Sequence, residues 1–114
     1  MPSNTFTLIA SSTVGAGGAS SIDFTSIPST YTDLVLKVSV RNSYSGGGAA
    51  NNLLRFNGSS SGYSDRYITG NGAAASSAGN TGGTTYIYIG AIENNSWTSN
   101  TFGNLEIYIP NYAS

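Results

Sequence analysis

The stretch Leu34-Val35-Leu36-Lys37-Val38-Ser39-Val40-Arg41 decides the fold class, because apolar and polar side chains alternate along it. Successive side chains of a β-strand point to opposite faces of the sheet. The apolar residues at the even positions from 34 to 40 therefore share one face, whereas Lys37, Ser39 and Arg41 share the other. This pattern predicts a strand with one buried face and one solvent-facing face.

Two further segments repeat this period of two. In Leu105-Glu106-Ile107-Tyr108-Ile109, the aliphatic side chains fall on one face and Glu106 falls on the other. Tyr86-Ile87-Tyr88-Ile89 alternates aromatic rings with β-branched side chains, so we expect both of its faces to be covered. No window of the chain has the apolar period of an amphipathic helix. Strands are therefore the element type that the sequence predicts.

Weaker strand patterns occur in four other segments, and turn-forming residues separate them. These segments are Phe6–Ala10, Ser21–Phe24, Leu53–Phe56 and Arg66–Thr69. Gly15-Ala16-Gly17-Gly18 lies between the first two, and Asn57-Gly58, a dipeptide suited to the positive φ of a tight turn, follows the third. About seven short strands at this spacing predict an all-β fold, an antiparallel, jelly-roll-like β-sandwich with Gly/Ser-rich loops.

The length of 114 residues predicts a single domain over 1–114. Two segments, near 43–52 and 70–83, consist almost entirely of small and polar residues. We expect both to be flexible loops at one end of the sandwich. Two interpretations of them remain open: plain linker slack, or recognition loops that become ordered on assembly.

The composition excludes several classes of chemistry. The chain has no His and no Cys, which removes His-dependent catalysis, thiol chemistry, disulfides and most transition-metal sites. It has only 4 Lys and Arg residues, so binding to nucleic acid is not expected. Ser, Thr, Asn and Gly make up 58 of the 114 residues, and charged residues only 8%. Such a composition is typical of a β-rich exterior protein whose polar surface consists of hydroxyls and amides.

The chain also lacks the sequence signals of membrane insertion and secretion. No stretch approaches the roughly 18 consecutive apolar residues of a membrane span. The N-terminal segment Met1-Pro2-Ser3-Asn4-Thr5 has neither a basic region nor an apolar core, so no signal peptide is predicted. We expect a protein that is made in a cytoplasm and does not insert into a membrane.

Three candidate sites for chemistry have simpler structural interpretations. Glu93 and Glu106 would have to face one glycosidic bond to act as an acid/base pair, and no motif demands it. Asp65-Arg66 and Asn57-Gly58 offer oxygens for Ca²⁺ but few charges and no EF-hand spacing. Gly15–Gly18 lacks the Lys-Ser/Thr ending of a phosphate loop, and a hairpin turn explains it better. We therefore predict no catalytic, metal-binding or cofactor-binding residue and no cofactor.

The aromatic residues are the remaining candidates for binding. Four of them, Tyr44, Tyr63, Trp97 and Tyr112, fall in or near predicted loops. Such rings are suited to stacking on a sugar or to contacts between subunits, because an apolar ring carries a polar group that stays hydrated. The rings on predicted strands, Tyr86, Tyr88 and Tyr108, are expected to line a sheet face instead.

A series of short motifs runs in order along nearly the whole chain. It comprises Thr7-Leu8-Ile9-Ala10 with Thr13-Val14-Gly15, Ile22-Asp23-Phe24-Thr25-Ser26-Ile27-Pro28, Tyr31-Thr32-Asp33-Leu34, Arg55-Phe56-Asn57-Gly58, Tyr63-Ser64-Asp65-Arg66-Tyr67, Gly90-Ala91-Ile92, Thr101-Phe102-Gly103-Asn104 and Ile107-Tyr108-Ile109-Pro110-Asn111-Tyr112. In this order the motifs resemble a tail-fibre-type β-domain of tailed-bacteriophage virion structural proteins, the "IPNY" β-sandwich family. Each motif is a strand core or a turn, so the resemblance carries over no catalytic residue.

The resemblance implies a non-enzymatic structural protein on the outside of a phage particle. A tail fibre or similar appendage, or a capsid decoration, is the expected setting, with a role in host attachment. By resemblance to fibre proteins we expect a homo-oligomer, most simply a trimer, in contact with other virion proteins. Relatives continue beyond the Ile-Pro-Asn-Tyr segment, whereas this chain stops at Ser114. Three interpretations remain open: a naturally short form, a fragment, or a domain whose missing strands come from a neighbour. Because proteins normally cover an unpaired strand edge, strand exchange or close subunit packing is the favoured hypothesis. The alternative is a lectin-like, carbohydrate-binding module that recognises host-surface glycans through the loop aromatics.

Overall fold

The chain is all β: the computed structural model describes residues 5–113, and these form six strands and no helix. The strands are β1 (Leu34–Val40), β2 (Ala50–Leu54), β3 (Tyr63–Gly70), β4 (Ala75–Thr84), β5 (Ile87–Ile92) and β6 (Gly103–Ile109). Residues 1–4 and residue 114 lie outside the described part. The segment for which no signal peptide is predicted therefore falls almost wholly outside it. The predicted all-β class is confirmed.

The six strands form three two-stranded sheets, β1–β6, β2–β5 and β3–β4. β2 pairs antiparallel with β5, and the register shifts between Asn52 and Leu53. β3 pairs antiparallel with β4, and the register shifts between Tyr63 and Asp65. Each shift is a β-bulge or irregularity, which bends a strand and increases its twist.

β1 and β6 confirm the strands with the clearest alternation. In both, exposed residues alternate with half-buried ones: Lys37 and Ser39 face solvent from β1, and Glu106 and Tyr108 face solvent from β6. Lys37 Nζ lies 2.9 Å from a carboxylate oxygen of Glu106, which forms an exposed salt bridge between the two strands. Such an exposed pair contributes about 0–1 kcal/mol, so it adds little to the stability of the sheet.

Two predicted strands are wrong, because Phe6–Ala10 and Ser21–Phe24 have no strand conformation. Their short apolar patterns lack a partner strand among the described residues, and a strand needs a neighbour for its backbone hydrogen bonds. Their side chains are accordingly uncovered, and Leu8 is 81% exposed. The structure therefore has six strands, where the sequence predicts about seven.

The predicted loop at 70–83 is also wrong, because most of it is strand β4. Its side chains are too small to show a hydrophobic period, but its backbone pairs with β3 from Gly70↔Ala75 to Asp65↔Asn80. Asn71 closes the hairpin, since its side-chain oxygen accepts hydrogen bonds from the N–H groups of Ala73 and Ala74 at 3.0 and 2.8 Å. The loop predicted near 43–52 likewise ends earlier, where β2 begins at Ala50.

The described residues divide into two compact units. One unit holds the chain up to Val35 together with the segment from Tyr108 onward, and the other is Leu36–Ile107. Within the second unit the core is small: the buried apolar side chains are Ala50 and Ile92, which are partners across the β2–β5 ladder. With so little apolar burial, polar contacts determine much of the local geometry.

Candidate binding loops

Two loops of the second unit are joined by hydrogen bonds into one surface, which we call the polar loop pair. It consists of residues 41–49, between β1 and β2, and residues 93–102, between β5 and β6. Two backbone hydrogen bonds link the first residues of both loops: Asn42 N donates to Glu93 O at 3.0 Å, and Asn95 N donates to Tyr44 O at 2.9 Å. The pairing of β2 with β5 brings these two loops together.

Asn94 is the central residue of the polar loop pair. Its side chain is fully buried, with 0% exposure, whereas few other residues between 5 and 113 are buried. The amide nitrogen donates to the carbonyl oxygens of Gly46, at 3.0 Å, and Gly48. The amide oxygen accepts from the Ser96 N–H at 2.9 Å and from the Ser96 hydroxyl at 2.6 Å. One buried amide therefore determines the path of both loops.

Arg41 orders the other end of the second loop. Its guanidinium donates to three backbone carbonyls, those of Trp97 at 2.9 Å, Thr98 at 2.6 Å and Thr101 at 3.1 Å, and to the Thr101 hydroxyl at 3.1 Å. Residues 97–101 thus wrap around the planar group, which presents several donors in a fixed arrangement. The only cationic side chain of the loop pair is committed to these carbonyls.

Two of the predicted binding aromatics lie on this surface. Tyr44 is 57% exposed on the first loop and Trp97 is 49% exposed on the second. The hydroxyl end of the Tyr44 ring occupies the space that a β carbon at position 46 would need, so Gly46 lets the ring lie against the loop. Beside Tyr44 is an open depression, lined also by Asn42, Ala49, Ala50 and Asn51.

The other two predicted aromatics are committed to contacts within the protein. The Tyr63 hydroxyl accepts from Phe56 N at 2.8 Å and donates to the carbonyls of Phe56 and Ser59, which braces the predicted Asn57-Gly58 turn. That turn is confirmed, with φ of 51° and 67° at its two central residues. In the first unit, the Tyr112 hydroxyl donates to Ile27 O at 3.1 Å and the Tyr112 N–H donates to Thr32 O at 2.7 Å.

A second polar contact braces the first unit, between two segments of the motif series. The Asp33 carboxylate accepts from the Tyr108 hydroxyl at 2.6 Å and from the Asn111 N–H at 2.9 Å. The hydrogen bond from Tyr108, followed by that from Asn111, lowers the pKa of Asp33. The pKa of Tyr108 is raised, first because its phenol proton is held in the hydrogen bond to Asp33, and further because the charge of that carboxylate opposes ionisation.

Asp65, a candidate Ca²⁺ ligand, is used as a hydrogen-bond acceptor between strands. It is buried, and its carboxylate accepts from Tyr88 N at 3.1 Å, from Asn80 N at 2.9 Å and from the Asn80 side-chain amide. The bond from Tyr88 lowers the pKa of Asp65 most, and Asn80 and Arg66 lower it further against the opposing effect of burial. Across residues 5–113, no three acidic side chains gather in a way that would hold a metal ion.

The two glutamates considered as an acid/base pair have different surroundings. Glu106 is exposed and paired with Lys37. Glu93 is half-buried, and its Oε2 atom has no hydrogen-bond partner among the residues described. This oxygen lies close to the backbone of Gly103, where a β carbon would come within 2.7 Å of it.

Asn94 and Arg41 are the site residues that the sequence interpretation missed. Asn94 stands in Glu93-Asn94-Asn95-Ser96, a polar run that is indistinguishable from an exposed loop in sequence. Arg41 appears in sequence as the solvent-facing end of a strand. The one available signal is the Asx-type spacing of Asn94 and Ser96, since Asn side chains accept hydrogen bonds from the backbone two residues ahead.

Residues 5–113 include no helix of the length and apolar character needed to cross a membrane. Comparisons of the chain with protein-family models, with curated proteins and with solved structures found no match.

Proposed function

We propose that this chain is a non-enzymatic structural domain of a tailed-phage particle, in a tail fibre, a similar appendage or a capsid decoration, and that it works as a homo-oligomer. The phage setting rests on the ordered motif series described above. The observation that carries the assembly is the uncovered outer face of the β3–β4 sheet. In this proposal, sheets of neighbouring copies supply the second layer of a β-sandwich.

The two faces of the β3–β4 sheet have different surroundings. On the inner face, the Tyr67 ring packs on Tyr88 of β5, with ring centroids 4.7 Å apart, and Asp65 is buried. On the outer face lie the cross-strand pairs Arg66↔Gly79 and Ile68↔Ser77. Ile68 is 83% exposed there. A large aliphatic side chain among small neighbours is a natural contact for another copy, because burying it is favourable by about 1.5–3 kcal/mol.

The edge of the same sheet is equally open. Within residues 5–113, β4 pairs with β3 alone, which leaves one row of its backbone groups without a strand partner. β4 has ten residues and contains neither a charged side chain nor a proline, the features that natural proteins use to block pairing at an edge. Two copies of such a strand can meet without charge repulsion, so nothing in the strand opposes pairing between copies.

Sedimentation equilibrium tests the proposal on the full chain and on the variant Ile68→Asp. We expect a discrete oligomer for the natural sequence, and a shift toward monomer when a carboxylate replaces the exposed isoleucine. Ser60→Asp, at an exposed position in the turn region before β3, adds the same charge elsewhere and is the matched control. A monomeric natural sequence, or equal association of both variants, would contradict the proposal.

A further inference from the structure

We propose that the polar loop pair binds a neutral glycan, with Tyr44 and Trp97 as the stacking residues. This function is separate from assembly, because it uses the loops at 41–49 and 93–102 and not the β3–β4 sheet. About half of each residue is exposed, which leaves aromatic surface open to a ligand. Both rings stand on loops that hydrogen bonds join into one surface, and in this proposal a single ligand lies across the two loops.

The chemistry around the rings is that of an uncharged, hydroxyl-rich ligand. Apart from Arg41 and the half-buried Glu93, the polar loop pair carries no charged side chain, but many amides and hydroxyls. Arg41 is the only cation of the loop pair, and its guanidinium is already bonded to carbonyls of the second loop. An acidic ligand would therefore have no free cation to pair with. The hydroxyls of a sugar could hydrogen-bond to the amides, and the apolar face of a sugar ring could stack on the aromatic rings.

The loops are ordered before any ligand arrives. Glycine-rich segments such as Gly46-Gly47-Gly48 would ordinarily lose much conformational freedom on binding. Here Asn94 already holds the Gly46 and Gly48 carbonyls, and Asn95 holds Tyr44 through the backbone. Preorganisation of this kind raises affinity, because folding has already met the entropic cost of ordering the loop.

The depression beside Tyr44 favours a glycan over a protein partner. It is open, and its lining combines the aromatic ring with the amides of Asn42 and Asn51 and the small side chains of Ala49 and Ala50. A ligand that inserts a flat, polar-edged ring fits this mixture. A protein anchor would favour a deeper apolar pocket.

Trp97 provides a direct readout, since it is the only tryptophan of the chain. The probe is a panel of neutral oligosaccharides of glucose, galactose, mannose, rhamnose and N-acetylhexosamines, titrated into the full-length protein while tryptophan fluorescence is recorded. We expect at least one of them to change the emission of Trp97 in a saturable way. Tyr44→Ala is expected to weaken that binding roughly two- to tenfold, the amount that loss of one aromatic contact represents.

Two neighbouring glycines supply a sharper comparison. A β carbon at Gly46 would overlap the Tyr44 ring, whereas one at Gly47 has open space around it. Gly46→Ala is therefore expected to displace the ring and weaken binding severalfold, with Gly47→Ala equal to the natural sequence. Circular dichroism of both variants is the control for correct folding.

Two results would overturn the glycan proposal. One is the absence of any saturable change in Trp97 emission across the whole panel. The other is binding that is equal in Tyr44→Ala, Gly46→Ala, Gly47→Ala and the natural sequence, which would place the ligand elsewhere. The oligomeric state is measured on the same samples, so failure of glycan binding is distinguished from failure of assembly.

Discussion

At the scale of single residues, buried polar side chains hold the second unit together in places where most small domains use apolar packing. The buried apolar side chains among the described residues are Ala50 and Ile92, whereas Asp65 and Asn94 are buried and carry several hydrogen bonds each. Inside a protein, a polar group that loses its partners costs more than the bond contributes, because its desolvation is no longer compensated. The buried amide and carboxylate are thus the most sensitive positions of the second unit.

Asn94→Asp tests this at one atom, because it replaces the amide NH₂ by an oxygen of nearly the same shape. The new oxygen would face the carbonyls of Gly46 and Gly48 and repel them. We expect the free energy of unfolding to fall by about 1–3 kcal/mol, measured by urea denaturation. Asn95→Asp is the control, since the neighbouring residue is exposed and contacts Tyr44 through its backbone N–H. Equal stability of the two variants would contradict the role assigned to Asn94.

At the scale of elements, the β3–β4 hairpin depends on where glycine stands. The Arg66 side chain crosses β4 at Gly79, and its guanidinium donates to Asp65 O at 2.7 Å and Asn80 O at 2.8 Å. A β carbon at position 79 would overlap the Asp65 carbonyl and come within 2.8 Å of the Arg66 side chain. Pairing of β3 with β4 in this register therefore requires glycine at position 79.

Gly79→Ala is expected to destabilise the hairpin by about 1–3 kcal/mol, because the backbone or the Arg66 side chain must shift to make room for the β carbon. Gly70→Ala is the matched comparison, because it lies in the same hairpin and a β carbon there meets nothing within 4 Å. Thermal unfolding monitored by far-ultraviolet circular dichroism distinguishes the two. If both alanine variants unfold at the same temperature, the close contact at Gly79 has no energetic weight.

At the scale of the whole molecule, stability depends on pH through two carboxylates. The pKa of Asp33 and that of Asp65 are both lowered in the folded state. Each group therefore adds stability that is present above its unfolded pKa of about 3.9 and is lost as pH falls through its folded value. Tyr108, whose pKa is raised, adds stability that is present below about pH 10 and is lost as pH rises further.

We therefore expect unfolding free energies to be level between about pH 5 and 9 and to fall in more acidic solution. Urea denaturation across this range measures the profile. Asp65→Asn should lower the free energy of unfolding at neutral pH, because the charged acceptor of the Tyr88 and Asn80 hydrogen bonds is gone. The decrease in unfolding free energy below about pH 5 should also become smaller. If the unfolding free energy of Asp65→Asn falls as steeply in acid as that of the natural sequence, groups other than Asp65 control the loss of stability.

The sequence by itself determined those parts of the fold that follow from the periodicity of side chains along the chain. Alternation along Leu34–Val40 and Leu105–Ile109 is visible residue by residue, and so is the Asn57-Gly58 turn, since its backbone conformation depends on the two residues that form it. The exposure of Tyr44 and Trp97 also agrees with their placement in loops.

Only the tertiary structure decided the features that depend on a distant partner. β4 is a strand because its backbone pairs with β3, although its small side chains show no period, and Phe6–Ala10 is not a strand because no partner pairs with it among the described residues. Asn94 is a buried hub because the β2–β5 pairing brings Gly46 and Gly48 to it. The physical reason is that backbone and amide hydrogen bonds are satisfied across space, whereas periodicity records which face of an element is apolar.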